Sequence, residues 1–447
     1  PDAVAGTTMN LGWLRASAWW LAFLLLALAP LGLALLGDLP QARPLLLESG
    51  VMLGLLGLGV LSMQAVISGR QRWFARGLGQ DDLLQFHRQI GLFGLLLVLA
   101  HPITVLLADS RLVAYLDPRV DVLRALSLTV VLLATLTLVA TSLWRLQLGL
   151  SYERWRLLHG LLALAIVALG LGHALLVDHY TAGFWKKAAL LLLVGGSLCL
   201  VLDTRLRRPW RARRRPWRVA SVRPERDDCW TIGLAGGPGR QLAFQPGQYV
   251  WLTLGDSPWR LQQHPFTIAS SPAVSELEIT IKALGDFTRT IAGIKPDTLA
   301  WLEGPYGVFT YRAGMSPGGA VFIAGGVGIT PVMAILRSLR DNGAREPVWL
   351  IYGSECWNKV VFREELEALA SSLDLTVIHV LDRAHEGWDG ETGHIDSGVL
   401  ERHLPAHLAD LPCYLCGPDA MADAIEPELR RRGVPARNLY SERFDLV

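Results

Sequence analysis

The chain has 447 residues, 51% of them hydrophobic and 18% charged, and its 42 basic and 40 acidic side chains leave a formal charge of +2. A composition this apolar excludes an ordinary soluble protein of this length, and the near-neutral total gives no reason to expect a nucleic-acid partner. Five scattered cysteines exclude a disulfide-stapled scaffold.

In chain order, residues 1–8 precede Met9 and are expected to be a remnant ahead of the natural start. Apolar runs follow at residues 13–36, 45–68, 84–107, 122–144, 156–177 and 184–203, each near the roughly twenty residues a bilayer requires. The first is long and is followed by five more, so it reads as a span and not as a cleaved signal. Arg70, Arg72 and Arg76 lie between the second and third runs, and Arg145, Arg154 and Arg156 between the fourth and fifth. A dense run from Arg205 to Arg218 follows the sixth. The positive-inside rule makes these segments cytoplasmic, so both termini are expected on the inner side of a plasma or inner membrane. The loops around Asp38, Asp109 to Asp121 and Asp178 then face outward, with Lys186 and Lys187 mildly against the bias. The arginine run after the last span is read as an anchor at lipid headgroups in preference to a nucleic-acid patch.

Four histidines stand inside two of these runs, His87 and His101 in the third, His159 and His173 in the fifth. Each pair is fourteen residues apart. Four helical turns take about 14.4 residues and about 21 Å, so both members of a pair share one helix face near opposite membrane surfaces. Buried histidines often serve as hydrogen-bonded core residues, but ionisable groups in lipid are costly and point to function. Both helices run outward, so His87 is expected opposite His159 at the inner level and His101 opposite His173 at the outer. This is the ligand set that two stacked haems would require, since imidazole nitrogen is a standard axial ligand. No Cys-x-x-Cys-His attachment motif occurs, so the haems should be non-covalent and b-type. Seven residues beyond the first histidines stand Gly94 and Ile166; a glycine there leaves room for a macrocycle, or for helix packing. His179 is expected at the outer surface.

The chain changes character near residue 216, where strand-like runs separated by Gly and Pro turns begin. Residues 9–204 are thus the membrane domain, 205–215 a basic juxtamembrane linker, 216–312 a strand-rich domain, and 313–447 an alternating strand–helix domain that implies a parallel sheet. In the strand-rich part, Tyr249 opens a strand after Pro246-Gly247-Gln248, and His264-Pro265-Phe266-Thr267 is followed by Lys282, by Gly285-Asp286-Phe287-Thr288 and by Gly304-Pro305-Tyr306-Gly307. In the last part a strand runs into Gly325-Gly326-Val327-Gly328-Ile329-Thr330-Pro331 and then a helix. Glycines there let the backbone approach a phosphate, and free helix amides face it. Tyr414-Leu415-Cys416-Gly417-Pro418 ends a further strand. Cys413 and Cys416 also spell Cys-x-x-Cys, so a dithiol remains an alternative.

The order of these motifs resembles the ferredoxin-NADP reductase superfamily, and the His-Pro-Phe-Thr form resembles its membrane branch, the NADPH oxidases and ferric reductases. The resemblance implies that Tyr249, His264, Pro265, Phe266 and Thr267 line an FAD site, with Phe266 and Thr267 at the isoalloxazine. It further implies that Lys282 and the turn Gly285, Asp286, Phe287 and Thr288 hold the flavin pyrophosphate. Many soluble relatives carry arginine where this chain has His264. Gly325, Gly326, Gly328, Thr330, Pro331, Gly353, Ser354, Glu355, Cys416, Gly417 and Pro418 would bind NADH or NADPH. Cys416 would stand beside the nicotinamide and Phe444 over the flavin face. Glu355, where NADPH users commonly carry a basic residue, tilts the choice slightly toward NADH, with Lys359 able to compensate.

The expected fold class is a multidomain membrane protein. It comprises a six-helix transmembrane bundle with two b-type haems, an antiparallel β-barrel FAD domain and an α/β parallel-sheet nucleotide-binding domain. The resemblance implies electron transfer from cytoplasmic NAD(P)H through FAD and the haems to an acceptor outside, foremost dioxygen giving superoxide. A ferric or cupric chelate, a quinone or a periplasmic partner are the alternative acceptors. A proton channel or transporter with a nucleotide-binding domain is the non-enzymatic alternative. No EF-hand loop or docking domain is present, so no obligatory protein partner beyond the lipid bilayer is expected, and activity should be constitutive.

Overall fold

The structure is a computed structural model that describes residues 2–70 and 80–443, with side chains described for residues 17–70 and 83–443. Arg72, Arg76 and Phe444 therefore lie outside the described residues. The chain separates into two compact units, Pro1–Pro209 and Trp210–Val447.

Among the described residues, the first unit holds six helices long and apolar enough to cross a membrane. They are α1 (Asp2–Leu35), α2 (Leu45–Ser68), α3 (Gln80–Ala108), α4 (Val122–Leu143), α5 (Tyr152–Val177) and α6 (Phe184–Ala212). The apolar stretch of α1 is Ser17–Leu35. Most of these helices expose large apolar side chains around their circumference, such as Leu96, Leu133, Leu161 and Leu192, as a lipid solvent demands. Helix α2 is the most buried, and its small residues explain why. A Cβ at Gly59 would stand 2.0 Å from the Ala27 carbonyl oxygen, so α1 approaches α2 through bare backbone.

Helices α1 and α3 start earlier than the sequence reading, at Asp2 and Gln80, and two further boundaries differ. Helix α5 starts at Tyr152, four residues early, because the Ser151 hydroxyl accepts from the Arg154 amide and caps it. Helix α6 continues through the stretch read as a basic linker to Ala212, with π-type turns along it at Leu191–Gly195 and Asp203–Arg207. Asp203 binds Arg207 and, at 3.1 Å, Arg208 along that helix; Arg208 donates to the Arg70 carbonyl at 3.1 Å. Gly94 takes the packing role: its Cβ would meet Val60 of α2 at 2.9 Å.

The second unit begins with a six-stranded antiparallel sheet of β1 (Trp217–Pro224), β2 (Cys229–Ala235), β3 (Tyr249–Leu254), β4 (His264–Thr267), β5 (Leu277–Lys282) and β6 (Leu299–Tyr306). The short helix α7 (Asp286–Arg289) precedes β6. The spatial order β4-β3-β6-β1-β2-β5 curls until Ile268, just past β4, bridges Ile279 of β5. Trp217, Ile232, Leu234, Leu252, Ile268 and Ile279 fill the interior.

The remainder alternates β7 (Ala320–Gly325), α8 (Ile329–Asp341), β8 (Val348–Ser354), α9 (Arg363–Ala370), β9 (Leu375–Leu381), β10 (Glu391–Thr392), α10 (Ser397–His403), β11 (Cys413–Gly417), α11 (Asp419–Arg431) and β12 (Leu439–Arg443). All pairings in this sheet are parallel, in the order β10-β9-β8-β7-β11-β12. Every residue of β7 is buried, as expected of a central strand covered by helices on both faces. The order reverses between β7 and β11, and ligands in such sheets bind outside the carboxyl ends at that switch point.

Candidate functional site

In the membrane unit, the structure brings His87 of α3 opposite His159 of α5 with ring centroids 6.3 Å apart and planes at 63°. His101 and His173 stand 6.2 Å apart at 62°. Two imidazoles ligating one metal place each nitrogen about 2 Å from it, which with the ring depth separates the centroids by about 6 Å. Both pairs therefore have the spacing of a two-imidazole metal site. Among the described residues no group of three or more His, Cys, Asp or Glu side chains could hold a metal ion. Each pair supplies two nitrogens alone, so an octahedral ion would need four more from a macrocycle, and haem fits this donor set.

Neighbouring helices set the rings. The His101 Nδ1 lies 2.7 Å from the Gly50 carbonyl of α2, and the His159 Nδ1 lies 3.3 Å from the Ser142 hydroxyl of α4. A Cβ at Gly54 would stand 2.8 Å from the His101 Nδ1, so that glycine makes room for the imidazole. Among the described residues, the buried His87 Nδ1 has no hydrogen-bond partner. Sequence reasoning missed Gly50, Gly54 and Ser142; the only signal was a run of small residues on α2. Outside the helices, His179 lies edge-on to Tyr180 at 4.9 Å, and the Tyr180 hydroxyl donates to Glu48 at 2.7 Å.

In the antiparallel sheet, Tyr249 pairs with Thr267, Val250 with Phe266 and Trp251 with Pro265. The His264 ring stacks on Phe287 at 4.6 Å, and Phe266 lies 6.2 Å from the same ring. The Tyr249 and Tyr306 rings are 5.9 Å apart. The segments read as flavin-binding thus gather at one end of the sheet and offer aromatic faces to a flat ring. Two expected phosphate ligands are otherwise engaged. Lys282 pairs with Asp227, and the Thr288 hydroxyl accepts from the amides of Leu284 and Gly285 at 3.0 and 2.8 Å. Thr288 shapes the turn that opens α7.

In the parallel sheet, the glycine turn and the Cys416-Gly417-Pro418 segment meet at the switch point. A Cβ on Gly328 would stand 2.2 Å from the Cys416 carbonyl oxygen, and one on Gly417 2.3 Å from the Met421 methyl. A Cβ on Gly325 would stand 2.9 Å from the Met421 sulfur and 3.1 Å from Pro418. Gly326 adopts φ +53°, a conformation side chains resist. Thr330 and Pro331 are buried in the first turn of α8, where proline lacks only an amide that no helix bond needs. Tyr352 on β8, which sequence reasoning missed, is fully buried and donates to the Gly326 carbonyl at 3.1 Å.

At the end of β8, Gly353 packs against Ile395, Ser354 is buried, and Glu355 pairs with both Lys359 and Arg383. The carboxylate that tilted the reading toward NADH is neutralised by two cations, which removes the ground for that tilt. The dithiol alternative is corrected as well. Three residues apart on a strand, Cys413 and Cys416 enter the cores on opposite faces of the sheet, and neither forms a disulfide. Burial pushes the Cys413 thiol up to about 12.

Three family models match the chain. A ferric reductase like transmembrane component matches residues 53–170, an FAD-binding domain residues 235–310 and an oxidoreductase NAD-binding domain residues 322–426. The chain is 30% identical over 237 residues to ferredoxin–NADP reductase B of Sorangium cellulosum, a match covering 51% of this chain and 96% of that protein. It is 27% identical over 231 residues to the toluate 1,2-dioxygenase electron transfer component of Pseudomonas putida, covering 51% of this chain and 66% of that protein. It is 30% identical over 243 residues to an NADPH oxidoreductase of Mycobacterium tuberculosis, covering 53% and 61% respectively.

Proposed function

The chain belongs to the ferric reductase/NADPH oxidase-like family with a ferredoxin–NADP reductase-type C-terminal half, and on that premise we propose that it passes electrons from cytoplasmic NAD(P)H through FAD and two b-type haems to dioxygen outside, giving superoxide. The observation that carries this reading is the matched geometry of the two histidine pairs, 6.3 and 6.2 Å, on facing helices. Bound FAD would take two electrons from the nucleotide and release them singly, and haem iron would carry single electrons across the bilayer.

The chain's own residues do the rest. The backbone of Gly326–Gly328 and the first amides of α8 hold the nucleotide phosphates, and the Tyr352 hydroxyl fixes that turn. Cys416, at the carboxyl end of β11, orients the nicotinamide. Tyr249, His264, Pro265, Phe266 and Thr267 would present the flavin surface, and the amides at Asp286 and Phe287 would face its phosphates. His87 with His159, and His101 with His173, offer nitrogens to the inner and outer haems. The apolar circumference of the bundle keeps water and protons out of the path. Because charge leaves and protons stay, turnover is electrogenic. The arginines at Arg70, Arg145, Arg154 and Arg156 support a reductase half on the inner side.

A second reading, reduction of a ferric or cupric chelate, is favoured by the ferric reductase like match over residues 53–170. One experiment separates them. Purified protein loaded with haem and FAD is reduced with NADH or NADPH under nitrogen, then given air with a superoxide trap, or a ferric chelate. Fast haem reoxidation in air with superoxide trapped is expected; slow reoxidation in air with fast reoxidation by chelate transfers the assignment to the metal reductase.

A further inference from the structure

Arg337 lies on α8, the helix that the glycine turn opens, eight residues beyond Ile329. It is 8% exposed. Its Nε and Nη2 grip both oxygens of Glu365 on α9 at 2.7 and 2.6 Å. Its Nη1 donates to the Ala269 carbonyl at 2.8 Å and to Glu278 on β5 at 2.9 Å, and the guanidinium lies over the Phe362 ring at 5.2 Å. Glu278 is held from its other side by Arg223 of β1 at 2.5 Å, and the Ala269 amide donates to the Glu278 carbonyl at 2.7 Å.

The partners come from both halves of this unit. Ala269 stands two residues beyond Thr267, in the segment that carries the flavin motif; Glu365 belongs to α9, in the alternating strand–helix half. A buried guanidinium is costly unless its donors are satisfied, and here one side chain satisfies them by joining the phosphate-turn helix to the flavin segment. Lysine, a point charge, could not grip Glu365 with two bonds and reach Ala269 as well.

We propose that Arg337 is a positioning residue for hydride transfer, fixing the nucleotide sheet against the flavin sheet so that the nicotinamide meets the flavin at reacting distance. This rests on the NAD(P)H-to-FAD reading above. The bonds of Arg337 go to protein groups; it acts through Ala269 and through the helix that begins at the glycine turn.

The test is the limiting rate of flavin reduction by saturating NADH or NADPH under nitrogen, measured on full-length protein alongside the half-saturating nucleotide concentration and the FAD content. A misplacement of about 1 Å costs on the order of 100-fold in rate, so Arg337→Lys is expected to slow the limiting rate at least about tenfold with half-saturation changed less than about twofold. Removing one partner of a buried charge network can unfold a protein, so a second variant combines Arg337→Met with Glu365→Gln and keeps Glu278 on Arg223, so that no charge is orphaned. It should be as slow as the lysine variant and retain FAD. An unchanged limiting rate in either variant overturns the positioning role, as does a loss confined to nucleotide affinity or FAD content. Wild-type flavin that neither nucleotide reduces overturns the functional reading itself, a result distinct from a fast variant.

Discussion

The Nδ1 of His101 lies 2.7 Å from the carbonyl oxygen of Gly50. A carbonyl only accepts, so the proton sits on Nδ1 and the lone pair on Nε2, the nitrogen directed away from α2 and available to a metal. The bond fixes tautomer and ring orientation together, which is how outer partners tune metal-binding histidines.

Crowding this bond should cost the outer centre. A Cβ at Gly54 would stand 2.8 Å from the His101 Nδ1, so Gly54→Ala is expected to displace the ring and lower haem content from two toward one per chain. Quantitation of extracted haem against protein checks this; full occupancy with unchanged midpoint potentials would show that Gly54 is mere packing.

The glycine turn gives a matching prediction in the reductase unit. Gly328→Ala forces a methyl against the Cys416 backbone oxygen, 2.2 Å away. Backbone yields poorly, so flavin reduction by nucleotide should slow by about 100-fold, as a displacement near 1 Å would cause, with FAD and haem contents intact. Stopped-flow flavin bleaching measures it.

The two cysteines of the Cys-x-x-Cys spelling should behave independently. Cys413→Ala is expected to cost about 1 kcal/mol of stability through a small cavity and leave turnover unchanged. Cys416→Ala should slow hydride transfer with little effect on the melting temperature. Equal effects of the two on turnover, or a disulfide found by mass spectrometry after oxidation, would restore the dithiol reading.

Arg383 and Lys359 beside Glu355 predict tolerance of the 2′-phosphate. Replacing Arg383 by Ala removes one charge-assisted partner, so kcat/KM for NADPH should fall about tenfold relative to NADH, the equivalent of about 1.4 kcal/mol. A ratio that does not move places the phosphate elsewhere.

His379 supplies a pH dependence. Its ring lies 5.1 Å from Trp357, and burial, aided by the Arg363 charge, lowers its pKa to about 4. The unfolded chain, with an ordinary histidine near 6.5, binds the proton first as pH falls. Stability from the neutral ring is thus complete above about pH 6.5 and is lost as pH drops toward 4. Hydrogen exchange in Leu375–Leu381 should quicken over that window in the wild type and change less steeply in His379→Gln; parallel slopes would remove His379 from the explanation.

Periodicity made the histidine pairs and the strand–turn–helix nucleotide motif legible, because a fourteen-residue spacing and a glycine turn are local patterns. The curled and parallel sheets followed from strand runs and their alternation with helices. What stayed hidden depends on partners distant in the chain. Lys282 is expected at a phosphate, and its pairing with Asp227, 55 residues earlier, has no signal in the sequence. Gly94 lies on the predicted turn of α3, yet its neighbour is Val60. Arg337 reads as an ordinary helix-surface residue, and only folding brings Ala269, Glu278 and Glu365 around it.

The most direct measurement is the haem stoichiometry of purified protein, taken with the optical change on adding NADH or NADPH under nitrogen, in the wild type and in His101→Ala. Two b-type haems per chain, both reduced by nucleotide in the wild type, are expected. The variant should keep one haem, still reducible through flavin. A wild-type protein whose bound FAD is reduced while no b-type absorbance appears, or a His101→Ala protein that still holds two reducible haems, would contradict the assignment of the four histidines.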